Sequence, residues 1–82
     1  MSQFEKTLYK ILGGQSDANI HFAEMGKLLE HLGFAKRIKG GHHIFHKAGV
    51  DEILNLQSKG SHCKPYQVKQ VRNLLHKYKL YS

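Results

Sequence analysis

Apolar residues recur along this chain in two rhythms, one helical and one alternating, and glycines stand at most of the joints between them. Phe4, Leu8, Ile11 and Leu12 fall at i, i+4, i+7 and i+8, which makes one stripe of a helix over Gln3 to Leu12. Gly13-Gly14 closes it, because glycine takes the left-handed backbone that a helix end often needs. Gln15 to Asn19 reads as a polar connector. A second stripe follows in Phe22, Met25, Leu28, Leu29 and Leu32, with Lys27, Glu30 and His31 on other faces and Gly33 as the stop.

From Phe34 the rhythm changes to alternation. Phe34, Lys36 and Ile38 alternate with Ala35, Arg37 and Lys39, the pattern of a short strand, and Gly40-Gly41 is a two-residue hairpin signal. His42 to Lys47 reads as the returning strand, with Ile44 and Phe45 at its centre. Ala48 to Asp51 reads as a loop, and Glu52 to Gln57 as a third strand with Leu54 and Leu56 on one face and Ile53 and Asn55 on the other. Ser58 to Lys64 is polar and reads as a loop. Pro65 then opens a last helix, whose stripe is Val68, Val71, Leu74, Leu75 and Tyr78. Tyr66, Gln67, Gln70 and Asn73 are assigned to its polar side, and Lys69, Arg72 and Lys77 lie off the stripe. The expected order is α-α-β-β-β-α, an α+β single domain over 1–82. Its three-stranded antiparallel sheet carries helices on one face and leaves the other open.

Charge narrows the range of partners. Thirteen Lys and Arg against six Asp and Glu give a formal charge of +7, a balance that favours an anionic partner such as nucleic acid. The lone cysteine, Cys63, has no intramolecular disulfide partner, and Met1 to Lys10 is too polar for a signal peptide. No apolar run approaches the ~20 residues that cross a bilayer. The expected location is the cytoplasm, with no membrane partner.

The densest chemistry lies from Lys36 to Lys47, where four cations and three histidines surround the glycine turn. Main-chain amides at Gly40 and Gly41 can approach a phosphate, and Lys36, Arg37 and Lys39 add long-range attraction. Lys47 and Lys64 are candidate outer contacts. On a strand, His42, Ile44 and His46 share one face while His43, Phe45 and Lys47 share the other. Phe45 is the core anchor, so His42 points to the open face. An imidazole there can take or give a proton near neutral pH, and RNA supplies its own nucleophile in the 2′-hydroxyl. The plainer alternatives for His42 are a mere surface residue or an RNA contact.

Other chemistries have thinner support. His42 and His46 are spaced like zinc ligands on a helix, but along a strand they stand about 13 Å apart, so no metal and no cofactor is expected. Cys63 has no sequence partner that would activate it. Gly60-Ser61-His62 lacks a following strand and core aromatic, and reads as a loop with a basic contact at most.

Helix, Gly33-Phe34, a basic strand, Lys39-Gly40-Gly41-His42-His43-Ile44-Phe45, a further strand, and Lys64-Pro65-Tyr66 opening the last helix together resemble the HicA toxins of bacterial toxin–antitoxin pairs. The resemblance runs over about residues 22–80, leaving Gln3 to Gly14 as an extra N-terminal helix. It implies a fold like the double-stranded-RNA-binding domain, mRNA-cleaving activity, and a HicB-type antitoxin covering the cleft. In that family the second strand usually opens with Gly-Ser-His and the histidine is catalytic. The role therefore falls on His42, with Gly41 where serine is usual. The alternative is an RNA-binding module of the same fold without catalysis. The extra helix is left between two expectations, packing on the sheet edge or contributing to the antitoxin interface.

Overall fold

The computed structural model describes residues 3–81, so positions 1, 2 and 82 of the expected domain lie outside the described residues. Helix α1 spans Gln3–Gly13 and is followed by a short 3-10 turn at Asp17–Asn19; α2 spans Phe22–His31. Strands β1 (Ala35–Lys39), β2 (His42–Lys47) and β3 (Val50–Leu56) form one antiparallel sheet in that order. A two-stranded hairpin, β4 (Ser58–Lys59) with β5 (His62–Cys63), precedes α3 (Pro65–Tyr78). The α+β class and the helix–helix–three-strand–helix order are those expected.

The helices form because their stripes meet. Ile11, Met25, Leu28, Leu29, Val68, Val71, Leu74 and Leu75 are buried together against Phe45, Leu54 and Leu56 of the sheet. Ile53 and Asn55, which alternate with those leucines on β3, stay on the other side, and Ile53 keeps 63% of its surface. One sheet face is thus covered and the other open. Helix α1 packs on α2 and α3 rather than on a sheet edge, and Phe4 stacks on His31 at 4.1 Å. It is part of the core layer because Ile11 is fully buried.

Helix α2 stops where Gly33 adopts φ +100°: Phe34 N donates to Leu29 O at 2.9 Å and Gly33 N to Glu30 O at 3.0 Å, the pairing that closes a helix end. The β1–β2 turn brings Lys39 opposite His42, so the connection is Gly40-Gly41 alone, with Gly40 at φ +62°.

Three boundaries differ from expectation. The third strand begins at Val50 rather than Glu52, because β2 and β3 slip in register between Phe45 and Lys47 and pairing resumes at Lys47 with Val50. The first strand begins at Ala35, while Phe34 is buried below it. The segment 58–64 is not a loop: Gly60 at φ +63° turns β4 into β5, Cys63 N donates to Ile20 O at 2.8 Å, and Phe22 N donates to Ser61 O at 3.0 Å. These strands are two residues long, too short to show alternation; main-chain bonds to the chain entering α2 and the buried Cys63 hold them.

Candidate active site

Register decides which basic residues meet His42. Antiparallel partners share a sheet face. Lys39 lies directly across from His42, and Arg37 lies across from Ile44, so both cations stand on the open face with the imidazole. Among the described residues, neither Arg37 nor Lys39 has an acidic partner within ion-pair distance. Their charge is available to an incoming anion.

Lys36 and Lys47 do not join this group. Lys36 lies across from the buried Phe45 and therefore points to the helix side, where its Nζ meets Glu30 Oε1 of α2 at 3.0 Å. Lys47 alternates with His46 on the same strand, and its ammonium sits over Gly33, close enough that a Cβ there would approach Nζ to 2.6 Å. Lys36, expected to hold the RNA backbone with Arg37 and Lys39, thus stands on the opposite face from them, and Lys47 stands on the Phe45 face that alternation assigns it, since side chains one residue apart leave opposite faces.

Lys64 reaches the turn from another direction. Its Nζ donates to Gln57 Oε1 at 3.2 Å, and the Gln57 amide nitrogen lies 3.9 Å from where a Cβ on Gly41 would stand. The glycine turn, Gln57 and Lys64 therefore form one rim beside His42. Gly41 does not need its glycine backbone, having neither a positive φ nor a close neighbour, whereas Gly40 does.

His42 is exposed, and its Nδ1 lies 2.9 Å from Asn55 Oδ1 on β3. Its neighbour His43 turns inward and meets the Phe22 ring edge-on at 4.8 Å, in keeping with the alternation of β2. Behind Asn55 stands Gln67 of α3, only 3% exposed. Its Nε2 donates to the Asn55 carbonyl at 3.5 Å, and its Oε1 accepts from Gln57 N at 3.3 Å. Gln67 is expected on the polar side of α3, yet it lies four residues before Val71 and so on the buried stripe. That spacing was the available signal. It stays polar because it closes the outer edge of β3, where main-chain groups of residues 55 and 57 have no further strand to bond.

The remaining reactive groups are accounted for structurally. Cys63 is buried, and burial pushes its thiol up to about 11, so it stays protonated and unreactive at neutral pH. Arg72 is not available to a ligand: its guanidinium binds Asp17 through two bonds of 2.9 and 3.2 Å and donates to the Ile11 carbonyl at 3.0 Å. Glu52 is held well below the usual carboxylate range, to about 2, first by Lys77 at 2.7 Å and then by the Tyr78 hydroxyl at 2.6 Å. Ser61-His62 sits on the hairpin, where His62 stacks on His21 at 4.5 Å, away from the sheet's open face. Among the described residues, no three His, Cys, Asp or Glu side chains are grouped as metal ligands would be, and no helix is long and apolar enough to cross a membrane.

The arrangement is an exposed imidazole whose Nδ1 is hydrogen-bonded to Asn55, on a cationic surface beside a glycine turn. It can attract a polyanion and transfer a proton at its backbone. Searches of family models, curated proteins and solved structures find no match to this chain.

Proposed function

We propose that this protein is a HicA-like endoribonuclease, the toxin of a bacterial type II toxin–antitoxin pair, which cleaves mRNA in the cytoplasm with His42 as its proton-transfer residue. The observation that carries this reading is His42 itself, exposed at the start of β2, with Nδ1 bonded to Asn55 and Lys39 and Arg37 on the same face. In the reaction, His42 removes the proton of a ribose 2′-hydroxyl. The 2′-oxygen forms a bond to the neighbouring phosphorus as the P–O5′ bond breaks, and the departing 5′-oxygen takes a proton from the imidazolium or from water. The products are a 2′,3′-cyclic phosphate and a 5′-hydroxyl. Lys39 and Arg37 offset the charge that grows on the phosphate oxygens, and Gly40, Gly41 and Lys64 hold the flanking backbone.

The resemblance to HicA toxins supports the activity, and the open cationic face suits a HicB-type antitoxin that covers His42 with acidic or apolar groups. Cleavage unchanged by the product of a neighbouring antitoxin gene would count against that partner.

The test incubates the protein and its His42→Ala variant with mRNA in EDTA. Cutting by the native chain alone is expected, and an RNA with 2′-deoxyribose at the cleavage position should stay intact. Intact RNA from both proteins, with a salt-sensitive gel shift, would replace the nuclease by an RNA-binding module.

A further inference from the structure

We infer that Asn55 is a positioning residue that sets the tautomer of His42, making Nε2 the atom that accepts the proton of the RNA 2′-hydroxyl; this rests on the ribonuclease reading above. Asn55 lies across from Ile44, so it is the diagonal neighbour of His42 on the open face, within reach of its ring. The Nδ1 to Oδ1 separation of 2.9 Å is that of a well-formed hydrogen bond. A carboxamide oxygen only accepts, so the ring nitrogen that meets it carries the hydrogen. A neutral imidazole has one N–H, which leaves Nε2 with the lone pair that can accept a proton. Free imidazoles of histidine favour the opposite tautomer, with the hydrogen on Nε2, which cannot act as a base from that atom. The contact with Asn55 reverses the preference.

The acceptor is itself held. Gln67, a buried residue of α3, bonds to the main chain of residues 55 and 57, so Asn55 projects from a fixed strand edge. Its chemistry also fits its surroundings. The groups facing His42 are Lys39 and Arg37 from β1 and Asn55 from β3, with Gln57 and Lys64 at the rim. An aspartate at 55 would accept the same bond but would favour the charged imidazolium and neutralise part of the surface that draws in phosphate. Asparagine fixes the tautomer and leaves the field intact.

Two measurements test this together. The ring-nitrogen chemical shifts of His42, read by long-range proton–nitrogen correlation above its titration, should report hydrogen on Nδ1 in the native protein. In Asn55→Ala they should move toward hydrogen on Nε2. Cleavage by Asn55→Ala should fall about 10- to 100-fold in kcat with KM for RNA unchanged. Asn55→Asp should recover the native nitrogen pattern and move the midpoint of the pH–rate curve upward by about one unit. A merely structural role would lower the Tm of Asn55→Ala without these signatures. The same nitrogen pattern in the native protein and in Asn55→Ala would overturn the assignment. Absence of cleavage by the native protein would remove the ribonuclease reading instead, while the nitrogen shifts judge the tautomer by themselves.

Discussion

The two faces of β2 divide its six residues three and three and meet opposite surroundings. On the covered side, Phe45 is almost wholly buried and His43 packs edge-on against Phe22. On the open side, His42 and His46 are exposed, and His42 is tied to Asn55. β1 divides in the same way: Lys36 is bound to Glu30 on the helix side, whereas Arg37 and Lys39 stand in front of the sheet without acidic partners among the described residues. A basic composition is therefore a poor map of a binding surface. Cations on the helix side, at Lys36, Arg72 and Lys77, are engaged with carboxylates, and the ones that count toward an anion are those left over.

The contrast between the faces is broken most directly at Phe45. Truncating it to alanine should cost about 3–5 kcal/mol, most of what a domain of this size has in hand, whereas His42→Ala should change stability by less than about 0.5 kcal/mol. Urea unfolding measures both. A His42→Ala loss as large as that of Phe45→Ala would mean that His42 is not on an open face.

Next in size is the division of the basic residues. Removing Arg37 and Lys39 together should weaken RNA binding about tenfold or more at low salt. It should also reduce the slope of log affinity against log salt by roughly 0.7 for each phosphate the protein no longer neutralises. Replacing Lys36 and Lys47 by glutamine should leave that slope nearly unchanged. Filter binding across a salt series separates the two pairs, and equal effects would mean that RNA wraps around the sheet edge.

Smaller again is the acid response of the covered side. Glu52 is lowered from about 4.5 to about 2, so its bonds to Lys77 and Tyr78 contribute stability that is fully present above about pH 4.5 and lost as pH falls toward 2. Glu52→Gln should flatten that part of the stability–pH curve and leave RNA cleavage at neutral pH untouched. An unaltered curve would show that the pairing is not maintained in solution.

The smallest effect on stability is expected at the glycine turn. Gly41→Ser supplies the hydroxyl usual in HicA toxins and meets nothing closer than Gln57 at 3.9 Å, so the Tm should hold within about two degrees while, on the ribonuclease reading, cleavage rises. Gly40→Ser, forced to φ +62°, should cost about 1 kcal/mol. Equal tolerance at both positions would show that the turn does not require a left-handed residue.

Much of the fold is legible in the sequence because periodicity is local. The helical stripes of α1, α2 and α3, the Gly40-Gly41 turn and the inward Phe45 follow from residue spacing alone, and so does the outward aim of His42. What the chain does not disclose depends on bonds between distant segments. The hairpin at 58–63 has no apolar rhythm and exists through main-chain bonds to residues 20 and 22. Lys47 is turned from His42 by alternation along β2, but Lys36 is turned away only by its register opposite the buried Phe45. Asn55 belongs to the open face by alternation, but its partner is set by the register of β2 against β3, which makes it diagonal to His42. Sequence by itself determined which faces are apolar and which residue types stand in front, because burial follows composition at fixed spacing. Tertiary structure alone decided which of those groups touch, because a hydrogen bond forms only within about 3 Å and in one orientation, and that requires the register of the whole sheet.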